Sequence, residues 1–412
     1  MSSNLERLDA LLAAARRAGA DQADALMVSG ASVSVSKRLG RTEEIERAET
    51  SELGLRVFVG QRSAIVSSGA SDPSSFARIA EQAVAMARVV PEDRFSSIPE
   101  APPPADAGPL DLDDPQEPGI ETLLARAAAA EDAAMAVKGI TNSEGAGASW
   151  NRHEVALATS RGFTGGYARS SHSFSVAVIA GEGTGMQRDY DFSSAVHGAD
   201  LDDPAMVGRR AAERALRRLD PQRPKTARLP VVYDPRLSGG MVGHFIGAIN
   251  GASVARGTSF LKDRMGEQVF GEGIAIIDDP LRVRGRRSHP FDGEGAAVSR
   301  RALVEDGILR SWILDSRSAR QLGLASTGHA SRGTSGPPAP APSNLYLEPG
   351  RLSPEELMAD IGLGVYVTEL IGSGVNGITG DYSRGAAGFM IRDGQLAEPV
   401  AEITIAGNLR EM

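Results

Sequence analysis

Four polar side chains in succession, Asp381, Tyr382, Ser383 and Arg384, sit inside a frame of glycines in the run TGDYSRGAAG (379–388). Glycine lets a backbone come close to another chain or a ligand, and the planar guanidinium fork of Arg384 suits a carboxylate. A polar loop that needs positive φ angles explains the same run equally well. His244 is the other residue of interest. It lies in SGGMVGHFIGA, three residues after Met241 and one before Phe245, at the edge of an apolar stripe. A lone histidine there is more often packed in a core or interface than bound to a metal.

The remaining motifs fail on context. Cysteine is absent, which removes disulfides, thiol nucleophiles, zinc ribbons and cysteine-ligated clusters. The six histidines (153, 172, 197, 244, 289, 329) include no two within one helical turn, and H-E-x-x-H does not occur. Gly372, Gly374 and Gly377 match a dinucleotide-binding spacing, but ITGDYSRGAAG is no helix. Ser34 and Lys37 lie in a strand, where a spacing of three means opposite faces. Ser259 and Lys262 lack the companion motifs of a serine–lysine enzyme. The aspartate runs at 111–114 and 200–203 adjoin Pro115 and Pro204 and read as solvated turns and helix starts, not calcium loops. From residues alone, no catalytic or metal site assembles.

The chain of 412 residues is 41% hydrophobic and 24% charged, enough for sizeable cores in two lobes. Its 47 glycines and 23 prolines favour short strands and loops over a helix bundle. A net charge of −9 argues against nucleic acid as a direct partner. The start, MSSNLERLDALLAAARRAG, has no apolar core of a signal peptide, and no stretch approaches the roughly 18 apolar residues of a membrane helix. A cytoplasmic chain without a membrane anchor is expected.

The elements that must position these residues follow from periodicity. Leu5, Leu8, Leu11, Leu12 and Ala15 predict an opening helix ended by Gly19. Alternation over 24–68 predicts three or four antiparallel strands turning at Gly40 and Gly60. A helix from Pro73 to about Val90 should bury Phe76, Ile79, Ala83 and Met86. Seven prolines make the region 99–118 a surface loop or extended connector before an alanine-rich helix at 120–137. Strands then fill 139–198, and a helix from Pro204 to about Leu219 closes the half. PQRPK (221–225) divides an N-terminal α+β domain, 1–222, from a β-rich domain, 223–412. The second domain opens with the strand ARLPVVYD and the helix 235–250, with Leu237, Met241, Phe245 and Ile249 stacked. Hairpins turn at Asp306-Gly307 and Asp393-Gly394. GTSGPPAPAPS (333–343) is expected to be a loop, and Ser353-Pro354-Glu355-Glu356 is a capping box. The fold class is α+β, mainly antiparallel sheets with flanking helices in two lobes.

Three long segments carry a family resemblance: GHFIGAINGASVARGTSFLKDRMGEQVF (243–270), DGEGAAVSRRALVEDGILRSWILDSRSARQLGLASTGHA (292–330) and NGITGDYSRGAAGFMIRDGQLAEPVAEITIAGNL (376–409). SELGLRVFVGQRSAIVSS adds a weaker match in the first half. The chain resembles the TldD/PmbA family, within it the PmbA or TldE branch, formerly described as modulators of DNA gyrase. The resemblance implies a metallopeptidase of two related subunits, in which the TldD branch carries H-E-x-x-x-H and a late cysteine around one metal ion. Matching Ser238-Gly239 to the start of that motif puts Gly243 and Ala248 at the two histidines and His244 at the glutamate. The resemblance thus implies a subunit with no metal or cofactor of its own. Its expected partner is a TldD-type subunit holding the metal, zinc being the expected ion, in a heterodimer that cuts unfolded or precursor peptides. A homodimer is the expectation when that partner is absent. His244, Asp381, Tyr382, Ser383 and Arg384 are the expected residues of a shared cleft or interface. A stand-alone binding or regulatory protein acting through protein partners, as the gyrase-modulator description suggests, is the alternative.

Overall fold

Strands as long as 20 residues form in the first half, because alternation continues through polar stretches that look like breaks in the sequence. The computed structural model describes residues 2–69, 72–100 and 107–412. Its first half runs α1 (Ser2–Arg17), β1 (Gln22–Arg38), β2 (Arg41–Val59), β3 (Arg62–Ser68), α2 (Phe76–Ala87), α3 (Ile120–Met135), β4 (Ile140–Thr159), β5 (Thr164–Ala180), β6 (Gln187–Ala195) and α4 (Pro204–Arg217). The strands make one antiparallel sheet of six, in the order β3-β2-β1-β4-β5-β6.

Period two divides that sheet into a face covered by helices and a face covered in part by the C-terminal half. Ala25, Met27, Val33 and Val35 of β1 all point to one side. There α1 and α2 cover Ala25 and Met27, while α3 and α4 cover Val33 and Val35 further along the strand. Leu26, with Val28 beside it, points the other way, and meets Leu157 and Phe291 in a separate cluster under the C-terminal half. Gly208 lets α4 lie on α3, since a Cβ there would stand 2.1 Å from the Ala130 carbonyl. Residues 41–50 of β2 are charged and almost wholly exposed at the sheet edge, a composition that discourages pairing with a further strand.

The second half continues with β7 (Val231–Tyr233), α5 (Pro235–Ala248), α6 (Gly251–Ala255), β8 (Ile276–Asp278), β9 (Arg301–Glu305), β10 (Ile308–Leu309), α7 (Ser316–Leu322), β11 (Ala330–Ser331), β12 (Ala339–Pro340), β13 (Leu345–Leu347), α8 (Pro354–Met358), β14 (Leu363–Val375), β15 (Asp381–Arg392) and β16 (Gln395–Asn408). Two sheets of four strands, β10-β9-β8-β13 and β16-β15-β14-β7, carry most of it. Among the named strands, β7 with β14 is the parallel pair. Both Asp-Gly turns appear as predicted, with positive φ at Asp306, Gly307, Asp393 and Gly394. The capping box at Ser353 is complete in both directions.

The architecture is α+β with mainly antiparallel sheets, as the periodicities predicted. Several local expectations need correction. Met86 is 41% exposed, because the buried stripe of α2 runs through Phe76, Ile79, Ala80, Ala83, Val84 and Ala87 and leaves Met86 on the other side. The loop at 333–343 contains β12, which pairs with β11. The connector 99–118 falls partly outside the described residues, at 101–106, but Leu110 and Leu112 are buried. The 111–114 aspartates are not free in solvent: Asp111 pairs with Arg284, Asp113 with Arg152 and Asp114 with His172. In the second run Asp203 caps α4, as a helix start should. No helix among the described residues is long and apolar enough to cross a membrane.

Candidate functional site

Asp234 begins the site by capping α5, its carboxylate accepting from the Arg236 amide at 2.9 Å, with Pro235 at the first helical position. Phe245, Ile246 and Ala248 anchor the helix in the core. His244 is left at the margin of that face, where its imidazole meets the ring of Tyr382 edge-on, with centroids 5.9 Å apart.

TGDYSRGAAG is not the loop that its glycines suggest. From Asp381 onward it is strand β15, central in its sheet between β14 and β16. Gly380 has a positive φ of 86°, but the strand glycines serve close approach instead. A Cβ on Gly388 would stand 1.9 Å from the Tyr366 carbonyl of β14, beside an irregularity in the pairing.

Strand geometry then divides the predicted quartet. Tyr382 and Arg384 project toward α5, with Tyr382 fully buried, while Asp381 and Ser383 are exposed on the opposite face. Asp381 is a structural clip: it accepts hydrogen bonds from Asn408 Nδ2 at 3.0 Å and Thr379 Oγ1 at 2.7 Å. The structure brings together His244, Tyr382 and Arg384, and adds Tyr233 from the end of β7, which the sequence reading missed. Tyr233 stands immediately before the Asp234-Pro235 cap, at the carboxyl end of a strand. That position was its only signal.

These four residues share an unusual property: Tyr233 Oη, His244 Nε2, Tyr382 Oη and Arg384 Nε are all buried without a hydrogen-bond partner. Burial, then the Tyr382 phenol, pushes the Tyr233 hydroxyl well above the usual phenol range, yet neither hydroxyl has a partner in good geometry. Burial, then the charge of Arg384, holds His244 below the ordinary imidazole value, so the ring is neutral at physiological pH. Arg384 makes no ion pair among the described residues. A cluster of buried polar groups with unmet hydrogen bonds, with the Arg384 guanidinium as its one fixed cation, suits a peptide carbonyl or a carboxylate.

Two further features surround the cluster. Gly239, Gly240, Gly243 and Gly247 leave α5 bare, and a Cβ added at any of them would meet nothing within 4 Å. Strand β14 pairs with β7 only at Val365, Tyr366 and Val367, so its later residues have a free edge beside the site. The serine–lysine pair at 259 and 262 is excluded from chemistry by packing: buried Ser259 bonds the Ala248 carbonyl and the Leu261 amide. Among the described residues, no group of three or more His, Cys, Asp or Glu side chains could hold a metal ion.

Comparison with known proteins gives the site its context. Profiles of the PmbA/TldA metallopeptidase match domain 1 at residues 23–87, the central domain at 113–219 and the C-terminal domain at 226–412. The chain is 39% identical over 396 residues to the metalloprotease PmbA of Escherichia coli O157:H7, covering 95% of this chain and 86% of that one. It is 35% identical over 405 residues to a PmbA homolog of Haemophilus influenzae, covering 97% and 87%. In fold it is similar to TldE of Thermococcus kodakarensis, with a TM-score of 0.87 at 20% identity over 98% of this chain and 92% of that one. A Thermotoga maritima protein, described as a candidate modulator of a DNA gyrase, has a TM-score of 0.88 at 22% identity with the same coverage. The chain belongs to the PmbA/TldD family of metallopeptidases.

Proposed function

We propose that this chain is the PmbA- or TldE-type subunit of a metallopeptidase complex, shaping the cleft in which a TldD-type partner cuts unfolded or precursor peptides. The observation that carries this reading is the composition of α5. At the positions of the TldD-type H-E-x-x-x-H motif it offers Gly243, His244 and Ala248. The metal implied by the family does not fit these residues: two of the three have no ligand atom, and His244 lies against Tyr382 and Arg384 with no carboxylate to complete a set. No step of metal chemistry is therefore assigned to this chain.

What the chain offers instead is positioning. The free edge of β14 can pair with an extended peptide through backbone hydrogen bonds, which read shape more than sequence. Beside it, Tyr233, Tyr382, His244 and Arg384 present donors to a carbonyl or carboxylate. The bare glycine face of α5 supports close approach by the partner. Four glycines in a 14-residue helix each cost about 1 kcal/mol relative to alanine, and nothing inside this chain requires their small size.

The decisive experiment measures cleavage of an unfolded peptide by this chain alone, and by its mixture with a TldD-type subunit, with and without chelator. Activity only in the mixture, abolished by chelator, is expected. Chelator-sensitive cleavage by the chain alone would overturn the reading. A second reading, a binding or regulatory protein acting without a peptidase partner, draws on the gyrase-modulator description of a structural neighbour. Silence of both the chain and the mixture, with gyrase retained on the immobilised chain, would favour it.

A further inference from the structure

A cavity of about 340 Å³ lies between the helix-free face of the six-stranded sheet and the segments around Phe291 and Ala330. It shares no residue with the α5 cluster. Its wall is of two kinds. Leu26, Val155 and Leu157 from the sheet, with Phe291 and Tyr167 ring edge to ring face at 5.5 Å, form an apolar side. Arg169, Arg287 and Arg332 form a cationic side.

The buried cation, Arg332, is under-compensated. The Arg332 side chain is 0% exposed and pairs with Asp24 through Nη1, but its Nε and Nη2 have no hydrogen-bond partner. Arg169, half-buried, donates to the Arg286 carbonyl, and Arg287 is exposed at the rim; neither makes an ion pair among the described residues, and burial, then Arg287 and Arg286, lowers the guanidinium pKa of Arg169. Asp292 also lines the cavity, but its carboxylate oxygens accept the Glu294, Ala296 and Ala330 amides. What the fold leaves unaccounted for is the pair of buried donors on Arg332, Nε and Nη2, at a partly apolar cavity that the half-buried Arg169 and the exposed Arg287 also line.

We propose that this cavity binds a carboxylate with an apolar body, the guanidinium groups of Arg169, Arg287 and Arg332 taking the anion and the Leu26–Phe291 wall taking the body. A bidentate guanidinium–carboxylate contact supplies the unmet donors of Arg332, and the apolar wall rewards a branched aliphatic or aromatic substituent. The inference stands whether or not the chain works in a peptidase complex.

The test is calorimetric titration of the full chain with N-acetyl-leucine, N-acetyl-leucinamide and inorganic phosphate, for wild type and Arg287→Ala. Arg287 is chosen because no ion pair depends on its side chain, whereas Arg332→Ala would strand Asp24. Saturable binding of the acid is expected, with the amide and phosphate at least about ten-fold weaker, and the acid weakened about ten-fold or more by Arg287→Ala. Equal binding of acid and amide, an unchanged affinity in the variant, or no saturation by millimolar acid each overturns the proposal. Phosphate bound as tightly as the acid also overturns it, because the apolar wall would then contribute nothing. If Arg287→Ala melts below wild type, Arg169→Gln supplies the same comparison.

Discussion

Two buried polar clusters in this protein are built to opposite rules. Where the sheet meets the C-terminal half, Asp24, Arg56, Arg332 and Glu294 are all nearly inaccessible and their charges pair, although Arg332 Nε and Nη2 remain without a partner. Arg56 Nε donates to Asp24 at 2.8 Å, and Glu294 accepts the Ser316 amide at 2.9 Å. Burial alone would raise the Asp24 pKa, yet Arg56 and Arg332 hold it below the usual carboxylate value. Beside α5 the reverse holds: Tyr233 Oη, His244 Nε2, Tyr382 Oη and Arg384 Nε are buried and make no hydrogen bond in good geometry. The first cluster joins two parts of one chain. The second is incomplete within this chain, which is the physical ground for assigning it to a ligand or partner.

The largest expected effect comes from breaking the charge-paired cluster around Asp24. Asp24→Asn leaves two buried guanidinium groups without their main counter-ion and should cost about 3–5 kcal/mol in urea unfolding. Removing the unsatisfied cluster should do the opposite to stability: Arg384→Ala leaves the melting temperature of the chain unchanged or raised. In the mixed complex the same change should lower peptide cleavage about ten-fold or more, since a charge-assisted contact is lost. Unaltered cleavage by Arg384→Ala would remove the cluster from the site.

Smaller effects sharpen the contrast. Gly243→Ala should stabilise the free chain by about 1 kcal/mol in thermal unfolding while weakening association with a TldD-type subunit. The pH dependence carries two signs. Burial, then Glu294, pushes Asp292 from 3.8 to about 7. The unfolded chain releases that proton first, so the contribution is full below pH 3.8 and is lost as pH rises through about 7. His244, depressed below 6.5, contributes fully above that value and loses it as pH falls through its lowered pKa. Stability–pH curves of Asp292→Asn and His244→Gln, each subtracted from wild type, should slope in opposite directions. The smallest effect is at the exposed face of β15: Asp381→Asn should change stability by less than about 1 kcal/mol and leave cleavage untouched.

Much of this was legible from residue order. Asp-Gly turns, the capping box at Ser353 and the apolar stack of α5 are local signals, and local physics enforces them. The site was half legible. His244, Tyr382 and Arg384 were marked by type, but TGDYSRGAAG reads as a loop because its glycines hide the alternation of a strand. Those glycines answer to β14, a contact that sequence does not display. Asp381 and Ser383 adjoin Tyr382 and Arg384 in sequence, but alternation along β15 puts them on the opposite face. Tyr233 escaped because its relevance depends on β7 lying parallel to β14, a pairing between residues more than a hundred positions apart.

The pairing of β1 with β4 has a consequence for how the protein is born. Asp24 lies opposite Thr159 and Lys37 opposite Ala146, so the centre of the first sheet cannot close until residue 159 has left the ribosome. At synthesis rates of about 5–20 residues per second, the stretch from Ser68 to Thr159 takes on the order of ten seconds. Throughout that interval the β3-β2-β1 meander exposes the inner edge of β1, including Leu26, Met27 and Val33. A nascent chain in this state is a ready template for strand pairing with its neighbours on the same message. The charged outer margin of β2 protects only the other side. Slow codons or a stall within that stretch should therefore raise aggregation of this protein more than the same delay placed after Ala195.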